Sequence, residues 1–171
     1  MNAQDHIREA FDRMEHVFTK RPQLAQARNV MRARVLDGLR CEAQEGDWRF
    51  VIDMPMEGGG SGAGPTPGVH GRAALASCLA IGYGIWLARA GITVRCIEVE
   101  IEAEHDHRGL AGMDGVYPGY LQLRHTLYLD ADAPPEQLDA VIAKARQCSP
   151  YLHVFADPQR LESQVVYGAR D

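Results

Sequence analysis

With 171 residues, 46% of them hydrophobic and 24% charged, the chain has the make-up of one ordinary globular domain with a real core. A formal net charge of −5 argues against a nucleic-acid footprint or a basic membrane-binding surface. Four cysteines accompany a polar start, Met1 to His6, so no signal peptide is expected, and the thiols point to a reducing cytoplasm rather than a disulfide scaffold.

Ile7, Ala10, Phe11, Met14, Val17 and Phe18 recur at helical spacing, which predicts an amphipathic helix over residues 4–20, stopped near Pro22. Two strands, 30–36 and 39–44, are expected to form a hairpin through Asp37-Gly38, and a third strand covers 48–54. The glycine-rich run 57–64 reads as a flexible loop. Next comes a central helix from Pro67 to Gly91, apolar on almost every face. Arg72 and Arg89 bracket a stretch shorter than the ~20 residues a membrane span needs. Such a helix belongs at the centre of a protein or of an oligomer.

A long strand over 93–104 alternates Glu98, Glu100, Glu102 and Glu104 with Ile97, Val99, Ile101 and Ala103, the pattern of a sheet with one wet face. A polar loop, 105–118, connects it to a partner strand over 120–130, where Leu121, Leu123, Leu127 and Leu129 are expected on one face. Pro134 and Pro135 open a helix with an apolar stripe of Leu138, Val141, Ile142 and Ala145. A short helical stretch to Phe155 and a last strand, 162–167, complete the chain. Strands in two groups around one helix imply an α+β fold. The expected division is an N-terminal helical extension, 1–28, and a single domain, 29–171.

The glycine-rich run does not match a phosphate-binding loop, because no Gly-Lys-Ser/Thr follows it. His105 and His107 are spaced to chelate, yet a metal site needs three or four ligands, so a solvated loop is the expectation and no metal or cofactor is assigned. Cys41 and Cys96 lie within strand patterns and read as small hydrophobes. Cys78, inside the central helix, and Cys148, at a helix exit, are either inert packing or a dithiol redox pair.

Gly64-Pro65-Thr66-Pro67, followed by Ala73-Ala74-Leu75-Ala76-Ser77-Cys78 and later Cys148-Ser149-Pro150, resembles the OsmC/Ohr superfamily of osmotically inducible and organic hydroperoxide resistance proteins. The likeness covers roughly residues 30–168. It implies an intertwined homodimer whose long central helices pack together, wrapped by antiparallel sheets. It also implies thiol-dependent reduction of organic hydroperoxides, with Cys78 peroxidatic, Cys148 resolving and a dithiol donor restoring both. The alternative is a non-catalytic protein of the same fold that binds an apolar small molecule at the dimer interface.

A free thiol is only a few per cent ionised at neutral pH, and Cys78 lies too deep in its helix for the macrodipole to help. The family's peroxidases use an arginine from the preceding loop, oriented by a glutamate. Here the glutamate positions carry Gly68 and Val69, and residues 57–64 contain no arginine. His70, two helical turns before Cys78, is the substitute within the chain. Arg32, Arg34 and Arg40 lie on strands expected to approach from a partner chain, whereas Arg72 is expected to point away.

Overall fold

The computed structural model describes residues 2–168. Helix α1, Ala3–Lys20, is started by Asn2, whose side chain accepts the Asp5 amide at 2.8 Å. It lies along the later helix α2, with Phe11, Met14 and Phe18 facing Trp86 across a groove. Gln4 donates to the Ile92 carbonyl at 2.9 Å, and Arg89 pairs with Asp12 at 3.7 Å and with Glu15.

Strands β1, Arg32–Asp37, β2, Arg40–Glu45, and β3, Trp48–Ile52, form an antiparallel meander. The first turn falls on Gly38-Leu39, one residue later than expected, with Gly38 left-handed at φ 55° and a register shift before Asp37. Most of this sheet is exposed on both faces, Val35 at 62% and Trp48 at 74%.

The glycine-rich segment departs from the expected flexible loop. Asp53, 1% exposed, accepts four hydrogen bonds: Met54 N at 2.8 Å, Ser61 N at 3.0 Å, Ser61 Oγ at 2.7 Å and Ala63 N at 3.1 Å. Those donors, Ser61 Oγ foremost, lower its carboxyl to about 2. The loop folds so tightly over Asp53 that a side chain at Gly60 would collide with the Met54 carbonyl. Gly60 and Gly64 allow close backbone approach, and Gly59 and Gly62 supply left-handed backbone at φ 83° and 68°.

Helix α2, Pro67–Arg89, is capped by Thr66, with Pro67 at its first position. By length and composition it could cross a membrane. In the fold it packs against α1, β4, α4 and α5. Leu75, Leu79, Tyr83 and Leu87, spaced four apart, form its buried stripe. Strands β4, Val94–His105, and β5, Tyr120–Ala131, form one long antiparallel hairpin. Ile97, Val99, Ile101, Leu127 and Leu129 pack inward on that stripe, and the alternating glutamates face out. Leu121 departs from the expected face and is 61% exposed, because it is the unpaired residue of a bulge between Tyr120 and Gln122.

The connection between β4 and β5 carries a single helical turn, α3, His107–Leu110, within the expected polar loop. Helices α4, Pro135–Gln147, and α5, Pro150–Ala156, close the core over α2. The expected last strand, 162–167, is not formed. Leu161, Val165, Val166 and Tyr167 lie exposed and unpaired in either sheet; β-propensity without a ladder partner yields no strand. The architecture is thus α+β with antiparallel sheets, as expected.

Candidate functional site

Cys78 is half-buried beside the Leu75–Leu79–Tyr83 stripe of α2. Opposite it, α4 ends at Gln147 and Cys148 caps it, its amide bonding to the Lys144 and Ala145 carbonyls at 3.2 Å. Ser149 then caps α5, with Pro150 in the first helical position. This short turn, with no residue between two caps, drives consecutive side chains in opposite senses. Cys148 is exposed; Ser149 is 3% exposed and faces α2.

The Ser149 hydroxyl lies 3.6 Å from the Cys78 sulfur. Its oxygen also accepts the Leu152 amide at 3.4 Å, which leaves the hydroxyl proton free for the sulfur. Among the described residues Cys78 has no arginine or histidine hydrogen-bond partner. All four cysteines are free thiols.

His70 stands elsewhere on the helix, edge-on to Phe50 of β3 with ring centroids 6.1 Å apart. Its Nε2 is buried without a hydrogen-bond partner among the described residues, so it does not reach the Cys78 sulfur. Arg72 points away from Cys78, as expected, and bonds the Tyr120 hydroxyl at 3.3 Å. Arg32, Arg34 and Arg40 lie on the exposed three-stranded sheet. Deeper in the α2–α4–β5 interior, burial pushes the Tyr83 hydroxyl up, and burial followed by the Arg146 charge pushes His125 down.

Among the described residues no group of three or more histidine, cysteine or acidic side chains is placed to hold a metal. His105 and His107 meet edge-to-face, 4.5 Å between centroids, while Asp106 is turned onto Arg108. The residue that sequence reasoning missed is Ser149. Its signal was present in Ser149-Pro150, because a serine before a helix-opening proline is an N-cap, and a cap turns its side chain toward the helix axis.

Three solved structures share the fold at low identity. An OsmC like protein from Mycoplasma pneumoniae is 12% identical, with 77% of this chain and 89% of that one covered and a TM-score of 0.65. An organic hydroperoxide resistance protein OsmC from Legionella pneumophila is 18% identical over 75% of this chain and 89% of that one, TM-score 0.54. An organic hydroperoxide resistance protein from Elizabethkingia anophelis is 17% identical over 75% and 88%, TM-score 0.53. No curated protein matches the sequence. The sequence model of the OsmC-like protein family matches residues 58–164, a span that holds α2, both long strands, Cys78 and Cys148, and the chain belongs to that family.

Proposed function

We propose that the protein is a thiol-dependent organic hydroperoxide reductase centred on Cys78, acting in the cytoplasm as an intertwined homodimer. The observation that carries this reading is the 3.6 Å contact between Cys78 and Ser149, which sets the turn bearing Cys148 directly against the Cys78 thiol. The Cys78 thiolate attacks the distal peroxide oxygen; the O–O bond breaks, the alkoxide takes a proton and leaves as an alcohol, and Cys78 becomes a sulfenic acid. The Cys148 thiol then displaces water to give a disulfide, which requires the turn to rotate by one residue. A small dithiol or a dithiol protein reduces that disulfide and is itself oxidised.

The dimer reading is supported by apolar surface that one chain leaves uncovered. Val69 and Ile81, 42% and 62% exposed, lie on the side of α2 away from its own core, and Val35, Leu36, Trp48 and Phe50 are exposed on the three-stranded sheet. In that assembly the partner sheet supplies a cation to Cys78 from Arg32, Arg34 or Arg40. The helical extension, 1–28, lies outside the domain, 29–171, that carries the chemistry.

A second reading is favoured by one observation. The sole hydrogen-bond partner of the Cys78 sulfur among the described residues is a neutral hydroxyl, which activates a thiol far less than a guanidinium does. On that reading the protein binds an apolar small molecule at the dimer interface without turning it over. Consumption of cumene hydroperoxide with dihydrolipoamide separates the two. Wild type exceeds Cys78→Ser by at least about tenfold if the thiol reacts, a barrier difference near 1.4 kcal/mol; equal rates sink the reductase.

A further inference from the structure

A cavity of about 520 Å³ opens where the start of α2 meets the ends of β4 and β5, and Cys78 is not part of its wall. Its size suits a small organic ligand. Met54, Leu110 and Pro118 give it an apolar lining, and its polar lining includes Arg72, His105, His107 and Tyr120.

The charge balance of this cavity is one-sided. Arg72 is half-buried, and among the described residues it has no carboxylate within salt-bridge reach; its hydrogen bond goes to the neutral Tyr120 hydroxyl. The one acid in the wall is Asp106, and it is already committed. Its carboxylate accepts Arg108 Nε at 3.0 Å and Nη2 at 2.6 Å, and the Arg108 amide at 3.0 Å. Gly68, one helical turn before Arg72, contributes no counter-charge and leaves the guanidinium room: a Cβ there would lie 3.3 Å from Arg72 Nη1 and 3.7 Å from the Tyr120 hydroxyl. The rings of His105 and His107, edge-to-face, and Tyr120, edge-on to His105 at 6.0 Å, form one aromatic side.

An unpaired guanidinium in an apolar recess is costly, and that cost is relieved by an anion able to use its fork of donors. A single cation suits a monoanion, and the apolar walls suit a hydrocarbon body. We propose that this cavity is a binding site for a monocarboxylate with an apolar tail, held by Arg72 and Tyr120 at its head and by Met54, Leu110 and Pro118 along its body. The site stands apart from the thiol chemistry and holds whether or not Cys78 reduces peroxides.

Octanoate is the probe, with octanol as the uncharged control and inorganic phosphate as the bare anion, followed by calorimetry and by the ring signals of His105 and His107 in NMR. Octanoate is expected to bind saturably, at least tenfold more tightly than octanol or phosphate, and to shift both histidines. Arg72→Gln is expected to weaken it tenfold or more. Gly68→Glu, which places a carboxylate one turn from Arg72, is expected to do the same while circular dichroism stays native, so loss of fold is not the cause. Cys78→Ser is expected to bind octanoate like wild type. The proposal is overturned if octanoate does not bind, if octanol or phosphate binds as well, if Arg72→Gln binds unchanged, or if Cys78→Ser abolishes binding.

Discussion

The Ser149 hydroxyl and the Cys78 sulfur stand 3.6 Å apart although 71 positions separate them in the chain, and Cys148, the next residue back, is exposed. A sulfur placed at Ser149 is therefore closer to productive geometry than the natural Cys148 thiol. With Cys148 replaced by serine, Ser149→Cys is expected to form an intramolecular disulfide with Cys78 after one equivalent of hydroperoxide. Formation should be at least about tenfold faster than any Cys78–Cys148 link in wild type. Non-reducing peptide mapping reads both, and a Ser149→Cys protein in which Cys78 and the introduced thiol both stay free contradicts the contact.

Much of this arrangement is legible in the chain. The central helix, the long hairpin and the α4–α5 junction follow from periodicity and from Pro67, Pro135 and Pro150, because each signal is local. What was not legible depends on tertiary contact. The run 57–64 is rich in glycine, and composition cannot tell a loop that needs freedom from one wrapped tightly on a buried carboxylate such as Asp53. The segment 162–167 has strand-like residues, but a strand exists only where an edge receives it. His70 lies near two turns before Cys78, yet at 3.6 residues per turn an eight-residue offset turns it about 80° away, and it rests against Phe50 instead.

The exposed side of α2 tests the dimer. Ile81 is 62% exposed within one chain, so Ile81→Asp should leave the fold of the protomer intact, as surface changes do within about 0.5 kcal/mol. In an interface the same change buries an unpaired charge and should weaken association on the order of a hundredfold. Sedimentation at micromolar concentration is expected to show a dimer for wild type and a monomer for the variant. A variant that sediments as wild type removes α2 from the interface.

Two α2 side chains, both 1% exposed, should respond in opposite directions. Leu79→Ala removes packed hydrocarbon and is expected to cost roughly 2–5 kcal/mol of unfolding free energy. Tyr83 buries a hydroxyl with no hydrogen-bond partner among the described residues, and burial raises its pKa. Tyr83→Phe removes that polar atom at nearly constant volume and is expected to be neutral or to stabilise by about 1 kcal/mol. Urea titration measures both, and a large loss in Tyr83→Phe would show that the hydroxyl is satisfied in solution.

Asp53 gives an acid limb to stability. Its carboxyl titrates near 2 in the folded protein against 3.8 ordinarily, because Ser61, Ala63 and Met54 donate to the ionised form. A depressed folded pKa contributes stability that is complete above about 3.8 and drains as pH falls toward 2. Asp53→Asn should therefore be less stable than wild type at pH 6, with the gap in urea midpoint closing between pH 4 and 2. Cleavage within 57–64 by a low-specificity protease should rise in parallel at neutral pH. A gap that does not change with pH would mean that the carboxylate charge plays no part in holding the loop.

His153 gives the opposite limb, at the turn that carries Cys148 and Ser149. Its Nδ1 lies 2.7 Å from the Asp157 carboxylate and its Nε2 3.0 Å from the Gln147 carbonyl, so the imidazolium donates from both nitrogens and ties α5 to the end of α4. The Asp157 hydrogen bond, then that to Gln147, raises its pKa above the usual 6.5. A raised folded pKa contributes stability that is complete below the unfolded value and is lost as pH rises through the folded one. The His153 ring is expected to titrate above 6.5 by NMR, and the thermal midpoint of wild type to fall on passing through that pH. His153→Gln, which cannot carry the charge, should lose this slope and resemble deprotonated wild type. If both proteins show the same slope, the charge on His153 does not secure the α4–α5 turn against Cys78.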